Sequence, residues 1–187
     1  AKPLYPGHYQ PKIPADLGFY DLRLPEVREK QVELAREAGV DGFCYYHYWF
    51  GGGKEELELP FDEVVRLGKP DFPFCLCWAN ESWSKKFWNK DGTVTPQSKT
   101  LVKQVYLGED DDRIHFYRLL SAFKDKRYMR IDGKLVFMIY KPLEFENLPK
   151  TMKLWNKLAQ EEGLGGFYFI GYTVNIGGEL QHLKELG

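Results

Sequence analysis

Four short apolar runs alternate along the chain with stretches of helical period. Within residues 25–38 the apolar positions Val27, Leu34, Ala35 and Ala38 fall on one helical face, with Pro25 in the first turn and Gly39 at the C′ position. Residues 40–46, VDGFCYY, then form an apolar run without helical period, which predicts a strand buried on both faces. The unit recurs. Residues 60–67 predict a helix stopped by Gly68, and FPFCLCWA (72–79) predicts a second strand. Residues 110–123 predict a helix with Ile114, Tyr117, Leu120 and Phe123 inward, followed after the turn signal Asp132-Gly133 by a strand over KLVFMIY (134–140). A helix from about Pro149, with Met152, Trp155, Leu158 and Ala159 inward and a stop at Gly163, precedes GFYFIGY (166–172). Residues 178–186 begin another helix through Leu180, Leu183 and Leu186.

Uninterrupted alternation of helix and strand predicts an α/β protein with a parallel sheet and right-handed crossovers. Two closures fit. A doubly wound open sheet is complete with four or five strands, whereas a (β/α)8 barrel needs eight strands and about 250 residues. The four strands visible in 187 residues are either a small open sheet or part of a barrel whose other strands lie outside the chain, and the default is a single domain over 1–187.

Composition narrows the partners. With 26 basic and 27 acidic side chains the net charge is -1, so no global field draws the protein to nucleic acid or an anionic membrane. No apolar run approaches the roughly 20 residues of a membrane span. Cys44, Cys75 and Cys77 read as reduced core thiols of a cytoplasmic protein, because the last two, two apart on a strand, point the same way without room for a bridge. Aromatic residues make up 16% of the chain, and Tyr and Trp rings with polar handles suit partly wet surfaces such as sugar clefts. Gly51-Gly52-Gly53 fits neither G-x-G-x-x-G nor a P-loop and reads as a plain turn, so no nucleotide cofactor is expected.

In parallel sheets functional groups collect where strands end, because the following loops are free to vary. Those ends offer Tyr46, His47, Tyr48 and Trp49; then Trp78, Asn80, Glu81 and Trp83; then Tyr140 and Lys141; then Tyr172, Thr173 and Asn175. WANESW (78–83) sets a carboxylate, Glu81, between two indoles and an amide, where desolvation would raise its pKa toward acid/base usefulness. The bland alternative is a loop carboxylate paired with Lys85 or Lys86. His47 is either a substrate contact or a hydrogen-bonded core histidine, and no second ligand stands at metal spacing beside it. The polar stretch 84–99, with Phe87, Trp88 and Lys85, Lys86, Lys90 and Lys99, is a binding loop for an acidic sugar or diphosphate, or a solvated surface loop. The acidic run GEDDD (108–112) opens a helix, where capping and the macrodipole account for it without a metal.

YPGHYQP (5–11), the stretch 17–50 ending in CYYHYWF, GKPDFPFCLCWANESW (68–83) and RYMRIDGKLVFMIYKP (127–142) resemble the WbsX-type glycosyltransferase family, related to endo-α-mannosidase-like glycoside hydrolases of family 99. The resemblance implies a parallel (β/α)8 TIM barrel, present here as a partial barrel of about four to five β/α units. It also implies an internal fragment of a longer protein, lacking a later carboxylate motif of the family and inactive in isolation. The implied activity is transfer or hydrolysis of sugars in bacterial cell-surface polysaccharide or lipopolysaccharide synthesis, with an oligosaccharide or sugar-donor substrate; the alternative is a non-catalytic glycan-binding module or structural fragment. Trp49, Trp78 and Trp83 would stack on sugars, Tyr46, His47, Asn80, Tyr140 and Lys141 would bond hydroxyls, and Glu81 would hold a hydroxyl beside the reacting carbon or assist proton transfer. Family sequences commonly place a pair of arginines where this chain has Lys85-Lys86, which lack the guanidinium fork. Exposed barrel edges would offer a route to self-association.

Overall fold

The structure, a computed structural model, describes residues 5–8, 14–88, 94–173 and 176–185. Its elements run α1 (Pro25–Glu37), β1 (Phe43–His47), α2 (Leu59–Leu67), β2 (Phe74–Trp78), β3 (Trp83–Trp88), β4 (Val94–Val102), α3 (Glu109–Phe123), β5 (Arg130–Ile131), β6 (Lys134–Ile139), a 3-10 turn (Pro142–Glu144), α4 (Leu148–Glu161), β7 (Phe167–Gly171) and α5 (Ile176–Glu185). The principal sheet is parallel in the order β1-β2-β6-β7. A doubly wound sheet reverses its order at a switch point; here it only advances with the sequence, as in consecutive units of a barrel. The barrel is not closed. The short β5 pairs antiparallel with the start of β6 across Asp132 and Gly133, both at positive φ, and beside it the Met129 amide donates to the Phe74 carbonyl while the Phe74 amide donates to the Arg127 carbonyl.

Three of the four predicted strands form inside their predicted windows, β1 runs one residue past its own to His47, and the two faces of the sheet differ. Phe74, Leu76, Trp78, Leu135, Phe137, Ile139 and Phe167 are buried on the helix side of the sheet, in one core with Phe116, Leu119 and Phe123 of α3 and Trp155, Leu158 and Ala159 of α4. The alternate residues Cys44, Tyr46, Met138, Tyr140, Tyr168 and Tyr172 lie on the opposite face and are exposed or half-buried. Cys75 and Cys77 share that face but are covered, while Cys44, expected in the core, is exposed with its Sγ 3.5 Å from Met138 Sδ. All three thiols are free.

Three elements depart from the sequence pattern. Helix α3 is rotated from its predicted face: Ile114 and Tyr117 point to solvent, and Asp111, His115, Phe116, Leu119, Ala122 and Phe123 are buried. Two polar residues occupy the inward stripe, so a hydrophobic pattern alone chose the wrong side. On α1 the buried residues are Val32 and Arg28, whose guanidinium bonds the Leu22 carbonyl at 2.6 Å and faces Glu63 at 3.7 Å. The stretch read as a polar loop is largely the antiparallel hairpin β3–β4.

Candidate functional site

At the C-terminal ends of the strands the open face carries a continuous row of rings. Trp83 meets Tyr48 edge-on at 5.1 Å, Tyr48 stacks on Tyr46 at 6.2 Å, Tyr46 meets Tyr140 edge-on at 6.0 Å, and Tyr140 lies parallel to Tyr172 at 5.1 Å and 12°. Strand alternation makes this row, since Tyr46 on β1 and Tyr48, Tyr140 and Tyr172, each one residue past the ends of β1, β6 and β7, continue the face that points away from the helices. Tyr46 is 55% and Tyr172 42% exposed, so the rings are presented to solvent rather than consumed by packing. Burial raises the phenol pKa of Tyr48, with Cys77 and Glu81 adding to it, and raises that of Tyr46 in the same way.

Charge flanks the row. Lys141 Nζ lies 2.7 Å from Glu144 Oε1 and 3.3 Å from Glu81 Oε2, and the Glu144 hydrogen bond is the largest influence raising the lysine pKa. Glu81 is therefore ion-paired, with Lys141 from another strand end. Its expected enclosure between two indoles does not form, because Trp78 turns into the core on the helix side. The 3-10 turn supplies Glu144, a carboxylate that sequence reasoning missed because it lies beyond the strand end proper.

Asn80 is fully buried and its amide is spent inside the protein. Lys141 N donates to Asn80 Oδ1 at 2.8 Å, while Asn80 Nδ2 donates to the Lys141 carbonyl at 2.9 Å and to the Tyr106 hydroxyl at 3.0 Å. It clamps the loop after β2 to the loop after β6 and so fixes the backbone that presents Lys141. Thr173 donates to Glu179 across a cavity of about 230 Å³ at the ends of β6 and β7. Asn175 and the side chains of Phe87 and Trp88 lie outside the described residues.

His47, Trp49 and Trp78 sit away from the open row, at 7%, 3% and 3% exposure. His47 Nε2 is 2.9 Å from His115 Nε2, and His115 is boxed by Trp49 stacked at 4.7 Å and by the edges of Trp78 and Trp155. Burial holds the His47 pKa down to about 3 and that of His115 well below its ordinary value, so both rings are neutral and one Nε2–H donates to the other. His115 Nδ1 is buried without a partner. Donation from His115 to His47 leaves there a bare acceptor rather than an orphaned N–H, and is the cheaper tautomer. Trp78 Nε1 bonds the Trp49 carbonyl at 2.9 Å, and Trp49 Nε1 bonds Asp111 at 3.2 Å.

The acidic run also works inside the fold. The N-cap position of α3 is Gly108, without a side-chain cap. Asp111 instead accepts from Gly52 N at 2.8 Å, and Asp112 accepts from Thr151 at 2.6 Å, tying α3 to the glycine turn and to α4. At Gly51, φ is +92° and a Cβ would stand 2.6 Å from the Val105 carbonyl, so the turn is a tight packing contact. Among the described residues no group of three His, Cys, Asp or Glu side chains could hold a metal, and no helix is long and apolar enough to cross a membrane.

Residues 1–186 match the family described as "Glycosyltransferase WbsX". The "Uncharacterized protein WxcX" of two Xanthomonas campestris pv. campestris strains, B100 and ATCC 33913, is 36% identical over 163 residues, covering 87% of this chain and 22% of the relative's length. The chain thus spans about a fifth of those curated relatives. Among solved structures, the GH99 endo-alpha-mannosidase from Bacteroides thetaiotaomicron superposes with a TM-score of 0.51 at 18% identity, over 98% of this chain and 51% of that one. A "Glycoside hydrolase-like protein" superposes with a TM-score of 0.52 at 17% identity, over 83% of this chain and 45% of that one. At such identities the likeness is one of fold.

Proposed function

Because the chain belongs to the WbsX glycosyltransferase family, we propose that its row of rings is the carbohydrate-binding face of a (β/α)8 barrel. The parent protein transfers or cleaves sugar linkages on an oligosaccharide or activated sugar, in bacterial cell-surface polysaccharide synthesis in the cytoplasm. The observation that supports this is the unbroken path Trp83-Tyr48-Tyr46-Tyr140-Tyr172, ending beside the Glu81-Lys141-Glu144 charges. Ring faces bury the C–H faces of sugars, and phenol and ammonium groups at their margins bond hydroxyls. Trp83, Tyr46 and Tyr140 form the platform and Lys141 bonds sugar oxygens. Glu81 holds a hydroxyl beside the reacting carbon or moves a proton. Trp49, Trp78, His47 and Asn80 hold the platform in place from behind.

Glycosidic chemistry commonly needs two carboxylates about 5–10 Å apart, and Glu144 shares the lysine that Glu81 contacts. The same arrangement favours a second reading, a non-catalytic glycan-binding module, because Lys141 engages both carboxylates and leaves neither free. Oligosaccharide binding followed by tryptophan fluorescence and ligand-observed NMR tests the face. Trp83→Ala and Tyr140→Ala should each weaken binding about five- to tenfold. Full affinity in both variants would remove the face from the function. Turnover by the full-length protein with and without Glu81→Gln separates the readings, and an unaltered rate takes Glu81 out of the mechanism.

A further inference from the structure

The cavity between the ends of β6 and β7 and the start of α5 has a charge balance that the carbohydrate reading does not by itself specify. It is lined by Tyr140, Lys141, Glu144, Tyr172, Thr173 and Glu179, with Pro142 and Leu143 completing the wall. Its floor is the parallel pair of Tyr140 and Tyr172, 5.1 Å apart. At about 230 Å³ it is smaller than the roughly 300–1,000 Å³ of sites for larger organic ligands, and suits one sugar ring rather than a nucleotide.

Lys141 is the one basic side chain among these lining residues, and its ammonium already meets Glu144 at 2.7 Å and Glu81 at 3.3 Å. Glu179, half-buried on α5, accepts from the Thr173 hydroxyl. Two carboxylates and one lysine line the wall, with a third carboxylate on the same lysine, so the potential inside is negative. Among the described lining residues an anionic ligand entering here meets Glu179 and finds no cation other than the already paired Lys141.

Resting on the carbohydrate reading, we infer that this cavity is a subsite selecting by charge: it takes a pyranose bearing a protonated amino group ahead of a neutral one, and turns away uronic acids and sugar phosphates. Glu179 and Glu144 are the specificity-determining residues. The expectation that acidic sugars or diphosphates are engaged attaches to the lysines of 84–99, not to this cavity.

The test is saturation-transfer NMR titration of the 187-residue chain with gluco, manno and galacto pyranosides, each in neutral, 2-amino, uronate and 1-phosphate form, at low and high salt. Half-exposed charge pairs contribute about 0.2–1 kcal/mol, so the amino form should bind about two- to fivefold tighter than the neutral one in at least one configuration. That margin should shrink with salt and fall to near one in Glu179→Gln, whose fold is checked by circular dichroism. Glu144→Gln, which releases Lys141, should raise uronate binding. Equal binding of amino and neutral forms, or a preference for uronate or phosphate, overturns the inference while leaving the carbohydrate reading standing. Failure of every sugar, whatever its charge, overturns both.

Discussion

Asn80 spends both ends of its amide on the backbone of one residue, Lys141, and that is where single-residue effects should be largest near the site. In Asn80→Asp the donor Nδ2 becomes an oxygen facing the Lys141 carbonyl and the Tyr106 hydroxyl. The cost should be about 2–3 kcal/mol in urea unfolding, with sugar affinity falling in parallel because Lys141 loses its fixed backbone. The His47-His115 pair gives a second prediction, in pH. Both folded pKa values lie below the unfolded value near 6.5, so the unfolded chain binds more protons in that window. Stability should be flat above about pH 6.5 and fall by a few kcal/mol as the pH drops from there toward 4, with the slope reduced in a His47→Phe/His115→Phe variant. A flat profile across that window would mean that the pair is already open or already protonated. His47 was legible as either a core or a contact residue; His115, lying mid-helix 68 residues away, gave no signal, because pairing across elements is not a property of local spacing.

At the level of elements, Trp78 and Trp83 bracket the same WANESW motif but belong to different layers. Trp78→Ala should destabilise the fold by about 3–5 kcal/mol, as expected for a buried indole packed on His115, Tyr106 and Phe145. Trp83→Ala, at the base of the hairpin against Tyr48 and Phe50, should cost less stability and more binding. Comparing urea midpoints with sugar titrations separates the two effects. Strands were readable because buried parallel strands are short apolar runs whatever their surroundings. The hairpin was not, since β3 mixes Trp83, Phe87 and Trp88 with lysines and shows no clean alternation; the Asp91-Gly92 dipeptide between β3 and β4 in the sequence was the available cue. The rotation of α3 was hidden because Asp111 and His115 face inward for hydrogen bonding, which no hydropathy scale rewards.

For the whole molecule, the outer edges of β1 and β7 have no ladder partner among the described residues, and such edges template pairing with other chains. On β1 the Phe43 amide donates to Pro73 and the His47 carbonyl accepts from Ala79, so alternate residues aim the Cys44 and Tyr46 amides at the open edge. Sedimentation should show concentration-dependent self-association of the chain. Cys44→Pro, which removes an edge donor without breaking the β1-β2 ladder, should lower it. Monomer at all concentrations would show the edges to be blunted. Among the described residues the strand order advances with the sequence and shows no reversal, which counting strands cannot reveal; the count is local information and the order is not.

The two-faced sheet has a consequence for change in this protein. Along β1, β6 and β7, every second residue answers to the helices and the residues between them answer to whatever approaches from outside. Two texts are interleaved in one strand, and they can be edited independently. A library randomised at 46, 48, 140 and 172 alone should keep most of its members folded while redistributing their ligands. The same number of changes at 45, 76, 137 and 167 should leave few soluble survivors.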